Sequence, residues 1–238
     1  SVKISSDGTH LVIGSPYERG PNNSWGSGSL RIYKYIEGDW HIQEIKNPDN
    51  DINHNVFYGE YREYSGLNVD ISSDGQAIVE GGYGKYDITS RIYYQGKVRY
   101  WRYNNASNAS YWELKGTFNA GLNETIYNGL SASEKESKNY YRAFNVSVSG
   151  DGLTLAIGIS GYSSSTQYRN GSVVIYTYTV SSSAFSVLVD ETHRIEGENQ
   201  NDNFGISLAL DKEGNNIIIG ALDRNNRYKG YIKAFKNI

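Results

Sequence analysis

The chain has 238 residues, with 26 Gly, 22 Tyr and 3 Pro but neither Cys nor Met. The absence of cysteine excludes a disulfide framework, a thiolate zinc site and a cysteine nucleophile. With 23 basic and 26 acidic residues the net charge is −3, which offers no basic footprint for a nucleic-acid partner. No apolar run approaches the roughly 18 residues of a membrane-spanning helix, so membrane insertion is not predicted.

The chain begins at Ser1, within a predicted strand and without an initiator Met. Processing of a precursor, or a position inside a longer protein, would each explain this start. We therefore expect that the chain was trimmed from a longer one.

One motif occurs four times without an insertion and organises the whole chain. In each copy, alternating apolar residues predict a half-buried strand, an acidic residue followed by Gly predicts a two-residue turn, and an apolar run predicts a second, buried strand. The copies are SVKISSDGTHLVIG from Ser1, NVDISSDGQAIVEG from Asn68, NVSVSGDGLTLAIG from Asn145 and SLALDKEGNNIIIG from Ser207.

A second motif predicts a third strand that opens with Gly and ends on aromatic residues. Its copies are GSLRIYKY from Gly28, GKVRYWRY from Gly96, GSVVIYTY from Gly171 and GYIKAFKN from Gly230. An outer fourth strand is predicted at 40–42, 111–114 and 185–188, whereas the last copy reaches Ile238 before any such strand. The predicted units are approximately 1–63, 64–140, 141–200 and 201–238, within a single all-β domain, and no segment has a convincing helical period.

Four features together identify a family: Phe204-Gly205 before a first strand, the Asp-Gly turns, the segment Gly14-Ser15-Pro16, and third strands of the form Gly-x-Val-x-x-Tyr. In these features the sequence resembles the FG-GAP repeat family, which includes the blades of the integrin α-subunit head. The resemblance covers nearly the whole chain. It implies a β-propeller of four FG-GAP-like blades, each a four-stranded antiparallel meander, with the last blade lacking its outer strand.

Two architectures are compatible with these units. Four blades could close into a small ring, which is the arrangement we favour, or they could form an open arc of a larger propeller with six to eight blades. The choice depends on whether the first and last units meet.

Calcium-binding units of the family carry alternating Asp and Asn ligands, whereas each turn here has a single carboxylate or slightly more. Such a turn cannot supply the six to eight oxygens that Ca²⁺ takes, so neither calcium nor another cofactor is expected there.

Two acidic loops are further candidates for metal binding, although solvated polar loops are the interpretation we favour. They contain Asp49, Asp51, Asn53, Asn55 and Glu60 in the first, and Glu196, Glu198, Asn201, Asp202 and Asn203 in the second.

Candidate catalytic residues are scarce. The four histidines, His10, His41, His54 and His193, lack the spacing of a zinc helix or a nucleophile elbow. We therefore expect packed or solvated histidines and predict that the chain is not an enzyme.

Six sequons for N-glycosylation occur, slightly more than chance predicts. Five lie in predicted loops and are candidate glycan carriers: Asn22, Asn105, Asn108, Asn123 and Asn170. The sixth, Asn145, begins an inner strand and is expected to make structural hydrogen bonds instead.

Two groups of tyrosines near the second unit could form a recognition surface, although filling the gaps between blades is the preferred interpretation. They are Tyr58, Tyr61 and Tyr64, and Tyr83, Tyr86, Tyr93 and Tyr94.

These observations predict a non-enzymatic structural or interaction module at an extracellular, cell-surface or virion-surface location. Its loops would bind protein or glycan partners, or copies of itself within a filament, appendage or virion. The alternative is a polysaccharide-active hydrolase or lyase with a site at the propeller mouth, which would require inward-pointing, paired carboxylates.

Overall fold

The computed structural model describes residues 1–46, 53–87, 92–106, 109–121, 144–164, 168–189, 194–223 and 229–238. These residues contain no α-helix, and one 3-10 turn at Pro21–Asn23. The strands are β1 (Val2–Ile4), β2 (His10–Ser15), β3 (Ser29–Ile36), β4 (Asp39–Ile42), β5 (Ile45–Lys46), β6 (Asn53–His54), β7 (Phe57–Tyr58), β8 (Asn68–Ile71), β9 (Ala77–Asp87), β10 (Ile92–Ala106), β11 (Ala109–Gly121), β12 (Phe144–Val148), β13 (Thr154–Ile159), β14 (Ser172–Thr179), β15 (Ala184–Val189), β16 (Ile195–Glu196), β17 (Ser207–Leu210), β18 (Asn216–Asp223) and β19 (Lys229–Lys236).

The strands form four sheets, each built on the antiparallel strands of one repeat. The orders are β1-β2-β3-β4, β8-β9-β10-β11, β12-β13-β14-β15 and β17-β18-β19. The predicted meanders are therefore confirmed, including the three-stranded last sheet. In the second sheet β9, β10 and β11 extend well beyond the predicted strands, and the short β5 pairs in parallel with the outer strand β11. That pairing covers a strand edge that would otherwise be exposed.

A hydrogen-bonded turn joins the first two strands of each unit. In the first unit, the Ser5 amide donates to the His10 carbonyl at 2.9 Å, so four residues lie inside the turn and the prediction of a two-residue turn is wrong. The Ser5 hydroxyl donates to the Asp7 carboxylate at 2.5 Å and accepts the His10 amide at 2.9 Å. Gly8 has a φ of +72°, which glycine adopts without strain. These side-chain bonds explain the Ser-x-Asp-Gly sequence.

The same turn recurs in the second and third units through Ser72 with Asp74 and Ser149 with Asp151. In the fourth unit Asp211 occupies the serine position, and its Oδ1 accepts the amides of Asn215 and Asn216 at 2.8 and 3.1 Å. The turn is thus kept while its first residue changes.

Consecutive sheets pack face to face and bury three apolar clusters. The cluster between the first and second sheets includes Leu30, Ile78 and Trp101. The cluster between the second and third includes Val79, Val98 and Ile157. The cluster between the third and fourth includes Ala156, Val173 and Ile219. Full burial of one such side chain is worth about 1.5–3 kcal/mol. Because strands β1, β8, β12 and β17 also contact one another in that order, the fold is propeller-like. The prediction that four units close a ring by themselves is not confirmed.

Glycine backbones touch where one sheet meets the entry of the next. A Cβ on Gly14 would lie 2.1 Å from the Gly66 carbonyl oxygen, and one on Gly158 would lie 2.2 Å from that of Gly205. Such distances are far below van der Waals contact, so any larger residue would force the sheets apart. The glycine that ends the first and third copies is therefore required by packing against the glycine that introduces the next unit.

Replacing Gly14 or Gly158 by Ala is expected to lower the free energy of unfolding by about 2 kcal/mol or more, because the new methyl group overlaps with backbone. Gly220→Ala is the matched control, since its Cβ would meet only the rotatable Ser207 hydroxyl within 3 Å. Urea unfolding of the three variants measures the difference. Equal losses for Gly14→Ala and Gly220→Ala would contradict this account of the junction.

Candidate functional site

The first strands of the four units line an open cavity of about 290 Å³, here called the central cavity. Their middle residues occupy equivalent positions of the repeat and line the cavity: Lys3, Asp70, Ser147 and Ala209. Successive side chains of a strand point to opposite faces, and the neighbours Val69, Ile71, Val146 and Val148 are buried in the cores between sheets. The alternation therefore directs the middle residue of each first strand into the cavity, and this residue is polar in the first three units.

These middle residues form a chain of polar contacts across the sheets. The Lys3 ammonium lies 3.4 Å from Asp70 Oδ1. Asp70 Oδ2 accepts the Ser147 hydroxyl and the Val148 amide, both at 3.0 Å, and the Ser147 oxygen accepts the Leu210 amide at 3.2 Å. Asp70 is thus held in one orientation by groups from its neighbours on both sides.

The hairpin turns form one rim of the cavity and are also bonded in sequence. The Ser6 amide donates to the Ser73 carbonyl at 3.2 Å, the Ser73 amide to the Gly150 carbonyl at 2.9 Å, and the Asp151 amide to the Lys212 carbonyl at 3.0 Å. Asp211 and Lys212 also line the cavity. Hydrogen bonds from the Asn216 side chain and from backbone amides lower the pKa of Asp211.

A second polar group, here called the charged cluster, lies between the first and second sheets. Arg99 donates through one nitrogen to both Glu63 and Glu80, with 2.7 Å to Glu80 Oε1. The three side chains are at most 7% exposed. Glu80 Oε2 also accepts the Ser65 hydroxyl and the Gly66 amide at 2.9 Å each, so the cluster fastens the glycine that enters the second sheet.

Charge pairing decides the ionisation of this cluster. Burial alone would raise the pKa of Glu63, but the charge and hydrogen bond of Arg99 outweigh it, so the pKa lies below its usual value. Burial likewise opposes the charge on Arg99, yet the two carboxylates raise its pKa. Glu63 and Arg99 are therefore held in their charged forms, and the ion pairs that link Arg99 to both carboxylates fit a structural role better than proton transfer.

The first unit carries a more exposed version of the same pair. Arg31, equivalent to Arg99, donates to both oxygens of Glu18 at 2.6 Å, and Ser29 donates to Glu18 Oε2 at 2.6 Å. The hydrogen bonds from Arg31 are the main cause that lowers the pKa of Glu18 to about 2. Tyr58 donates weakly to Glu18 at 3.4 Å and lines an outer pocket of about 540 Å³ together with Phe57.

Sequence reasoning did not single out Asp70, Glu80 or Arg99. A signal was present, because Glu80 and Arg99 stand at repeat positions where other units carry Ile13 and Val174. A charge at an apolar position of a repeat indicates either a buried pair or a polar cavity.

The acidic loop around Asp202 is not simply solvated. Asp202 is fully buried, and its Oδ2 accepts the Tyr231 hydroxyl at 2.6 Å and the Asn199 amide at 2.9 Å. The solvated interpretation is therefore wrong for this residue. Asp202 organises its loop by accepting the backbone amide three residues earlier, as Glu63 does with the Glu60 amide. Asp49 and Asp51 lie outside the described residues. Within the described ranges, no group of three or more His, Cys, Asp or Glu side chains is arranged to hold a metal ion.

The predicted glycosylation sites have different surroundings. Asn22 and Asn105 are exposed and stay predictions, whereas Asn108 and Asn123 lie outside the described residues. Asn170 is 1% exposed, and its amide nitrogen donates to Glu196 and the Gly197 carbonyl at 3.1 and 3.3 Å. A glycan on this nitrogen would break both hydrogen bonds and expose buried groups, so the surroundings argue against this site, which stays a prediction.

Other predictions concern packing. The structural role of Asn145 is confirmed by its donation to the backbone carbonyls of Gly205 and Ile206. Tyr64 is buried against Tyr17, Trp25 and Tyr83, as expected for gap filling. Tyr61 is 48% exposed and Tyr58 is half-buried, while nothing is described of the side chains of Tyr86, Tyr93 and Tyr94.

The described histidines are either packed or exposed, as expected. His10 is 3% exposed between the first two sheets and meets the edges of Tyr103 and Trp112. His41 and His54 are exposed, and His193 lies outside the described residues. Burial is the main cause that lowers the pKa of His10, and the charge of Lys34 adds to it against the opposing charges of Asp7 and Asp74.

Comparison with known proteins yields solved structures alone, since no family model and no curated protein matches the chain. The periplasmic gluconolactonase PpgL of Pseudomonas aeruginosa is 11% identical, with a TM-score of 0.52 over 99% of this chain and 56% of its own. A putative 6-phosphogluconolactonase of Bacteroides uniformis is 11% identical, with a TM-score of 0.45 over 98% of this chain and 52% of its own. The Dos1 propeller is 14% identical, with a TM-score of 0.47 over 99% of this chain and 47% of its own. The chain thus spans about half the length of these proteins.

These similarities bear on two predictions. The all-β, propeller-like fold is confirmed, whereas membership of the FG-GAP family stays a prediction. The main functional prediction, a non-enzymatic surface module, is wrong, because the chain shares its fold with a gluconolactonase along almost its whole length. The hydrolase alternative is better supported. Within the described residues, no helix is long and apolar enough to cross a membrane.

Arg99→Met is expected to lower the free energy of unfolding by about 3–5 kcal/mol, because it removes the counter-charge of buried Glu80 and leaves buried Glu63 paired with Lys97 alone, at 3.3 Å. The matched control is Arg31→Met at the equivalent, more exposed position, where a loss of about 1 kcal/mol or less is expected. Adding Glu63→Gln and Glu80→Gln to Arg99→Met removes both stranded charges and should recover part of the loss. Denaturant unfolding at pH 7 measures all three, and similar losses for Arg99→Met and Arg31→Met would contradict the cluster.

Stability is expected to fall as the pH drops below about 6.5, the usual pKa of histidine. Below this pH, His10 is protonated in the unfolded chain but stays neutral in the folded chain, where burial lowers its pKa. The free energy of unfolding therefore decreases by up to about 1.4 kcal/mol per pH unit. The loss should continue down to the lowered pKa of the folded state. His10→Asn removes this group, so its stability should change less between pH 7 and 5, where most carboxylates remain ionised. Identical pH profiles for the two proteins would rule out this role.

Proposed function

We propose that the chain is a hydrolase that opens a sugar-derived ester or lactone in the central cavity. The observation that carries the proposal is the fixed Asp70 carboxylate, which faces the Lys3 ammonium at 3.4 Å and is oriented by Ser147 and Val148. A concave site with a few convergent polar groups is where a propeller would bind a small polar molecule. The likeness in fold to a gluconolactonase supports this choice of substrate class.

Ester or lactone opening fits these residues better than cleavage of a glycosidic bond. A glycosidase needs one carboxylic acid with a raised pKa to protonate the leaving sugar. The described carboxylates of the cavity are Asp70 and Asp211, and the pKa of Asp211 is lowered. A lactone requires chiefly a base that activates water and a cation that stabilises the oxyanion.

The residues have separate roles in this proposal. Asp70 accepts a proton from a water molecule as the water oxygen attacks the carbonyl carbon. The Lys3 side chain is 54% exposed and stabilises the negative charge that develops on the carbonyl oxygen. The ring C–O bond then breaks, and the leaving oxygen takes up the proton. Ser147 acts as a positioning residue because its hydroxyl holds Asp70.

Two finer proposals accompany this function. We propose that the four units are FG-GAP-type blades forming an open arc of a larger ring, with the close contact of Gly14 with Gly66 and that of Gly158 with Gly205 as support. We also propose a location outside the cytoplasm, supported by the fold shared with a periplasmic protein.

Acid release from glucono-δ-lactone, followed in a pH-stat and corrected for spontaneous hydrolysis, tests the proposed activity. We expect Asp70→Asn to lower kcat/KM about 100-fold or more, as for loss of a general base. Asp39→Asn, which removes an exposed carboxylate on the outer strand β4, is the control and should leave the rate unchanged. A wild-type rate no higher than buffer on this and other sugar lactones, or full activity of Asp70→Asn, would overturn the proposal.

A further inference from the structure

One carboxylate oxygen of the buried Asp202 has no partner. The side chain is fully buried, and its Oδ2 accepts the Tyr231 hydroxyl and the Asn199 amide. In the part of the chain that the structure describes, Oδ1 is buried without a hydrogen-bond donor, and no Lys or Arg forms an ion pair with this carboxylate. Because a buried charge is costly unless it is paired or binds a metal ion, Oδ1 points to a ligand.

The second unit shows which kind of group belongs beside this oxygen. Glu63 and Asp202 each stand three residues before the glycine that enters a unit, Gly66 and Gly205. One oxygen of each accepts the backbone amide three residues earlier. The other oxygen of Glu63 accepts the buried guanidinium of Arg99. A full positive charge therefore neutralises Glu63 at the oxygen that corresponds to Asp202 Oδ1.

The fourth unit directs its equivalent cation elsewhere. Lys233 corresponds to Arg99, because each stands three residues after the glycine of the third-strand motif. Its ammonium pairs with Glu198, whose side chain is 65% exposed. The charge that balances Glu63 in the second unit is thus used at the surface in the fourth.

Two further replacements set the size of the missing charge. Lys97 also pairs with the carboxylate in the second unit, at 3.3 Å, whereas its counterpart Tyr231 carries no charge at neutral pH. Glu80, the second acidic member of the charged cluster, is replaced by the apolar Ile219. Asp202 therefore leaves a single negative charge to be balanced.

We propose that Asp202 Oδ1 binds a hard cation of single charge, of the Na⁺ class, in the loop that enters the fourth sheet. Hard cations bind oxygen ligands, carboxylates among them. A divalent ion would leave an excess positive charge beside one carboxylate, and a water molecule would satisfy the hydrogen bond but not the charge. The inference does not depend on the proposed hydrolysis.

Thermal unfolding in NaCl and in choline chloride of equal ionic strength tests the inference. A cation that binds only the folded chain stabilises it, so we expect Na⁺ to raise the melting temperature by about 2–4 °C relative to choline. Asp202→Asn removes the charge and should abolish this difference. Asp39→Asn, which removes an exposed carboxylate on β4, is the control and should preserve it. Broadening of the sodium NMR signal by the wild-type chain, lost in Asp202→Asn, measures binding directly.

A second variant tests the same site with the charge of Asp202 in place. Lys233→Arg introduces the guanidinium that Arg99 supplies in the second unit, and Glu198→Gln removes the competing carboxylate. The double variant should melt in choline chloride at the temperature that the wild-type chain reaches in NaCl, with no further gain from Na⁺. This experiment decides the matter even where Asp202→Asn fails to fold.

Each other outcome overturns the proposal. Equal melting temperatures of the wild-type chain in the two salts would show that water alone satisfies Oδ1. A Na⁺ effect that persists in Asp202→Asn, or in full in the double variant, would place the action of the salt elsewhere. Stabilisation by Ca²⁺ but not by Na⁺ would overturn the single charge.

Discussion

The close approach of glycine backbones at the sheet junctions is the contact on which the rest of the structure depends. Gly14 leaves no room for a side chain beside Gly66, and Gly158 leaves none beside Gly205. Because the sheets come this close, the aliphatic residues between them lose nearly all contact with water. Dense packing of this kind tolerates added volume poorly, which explains why a short glycine-containing motif recurs while the loops vary.

The same stacking separates two kinds of polar residue. At the inner edge, Asp70 joins its neighbours through Lys3 and Ser147 while remaining next to a cavity. Between the sheets, Glu80 and Arg99 are buried and neutralise each other. A residue satisfied by its neighbours yet open to a cavity can act on a ligand, whereas a fully buried ion pair holds two elements together.

An array of stacked sheets also has ends, and here both ends are apolar. Each sheet of the repeat is built to be covered on two faces, as the second and third sheets are. The first and fourth sheets keep the same residue pattern, although each is covered on one face.

The sequence by itself determined the repeated meander of each sheet and the position of each turn, because period-two alternation and the glycines are local signals that recur four times. It did not determine the added strands β5, β6, β7 and β16, which pair with these meanders only in the folded chain. It could not determine the width of the turn, since the bonds of Ser5 to Asp7 and His10 depend on the folded backbone. It also did not separate the buried Asn170 from the exposed Asn22, because both read as loop sequons. Only the tertiary structure brought Lys3, Asp70 and Ser147 from three units to one cavity, since their meeting depends on how the sheets are arranged around an axis and not on any spacing along the chain.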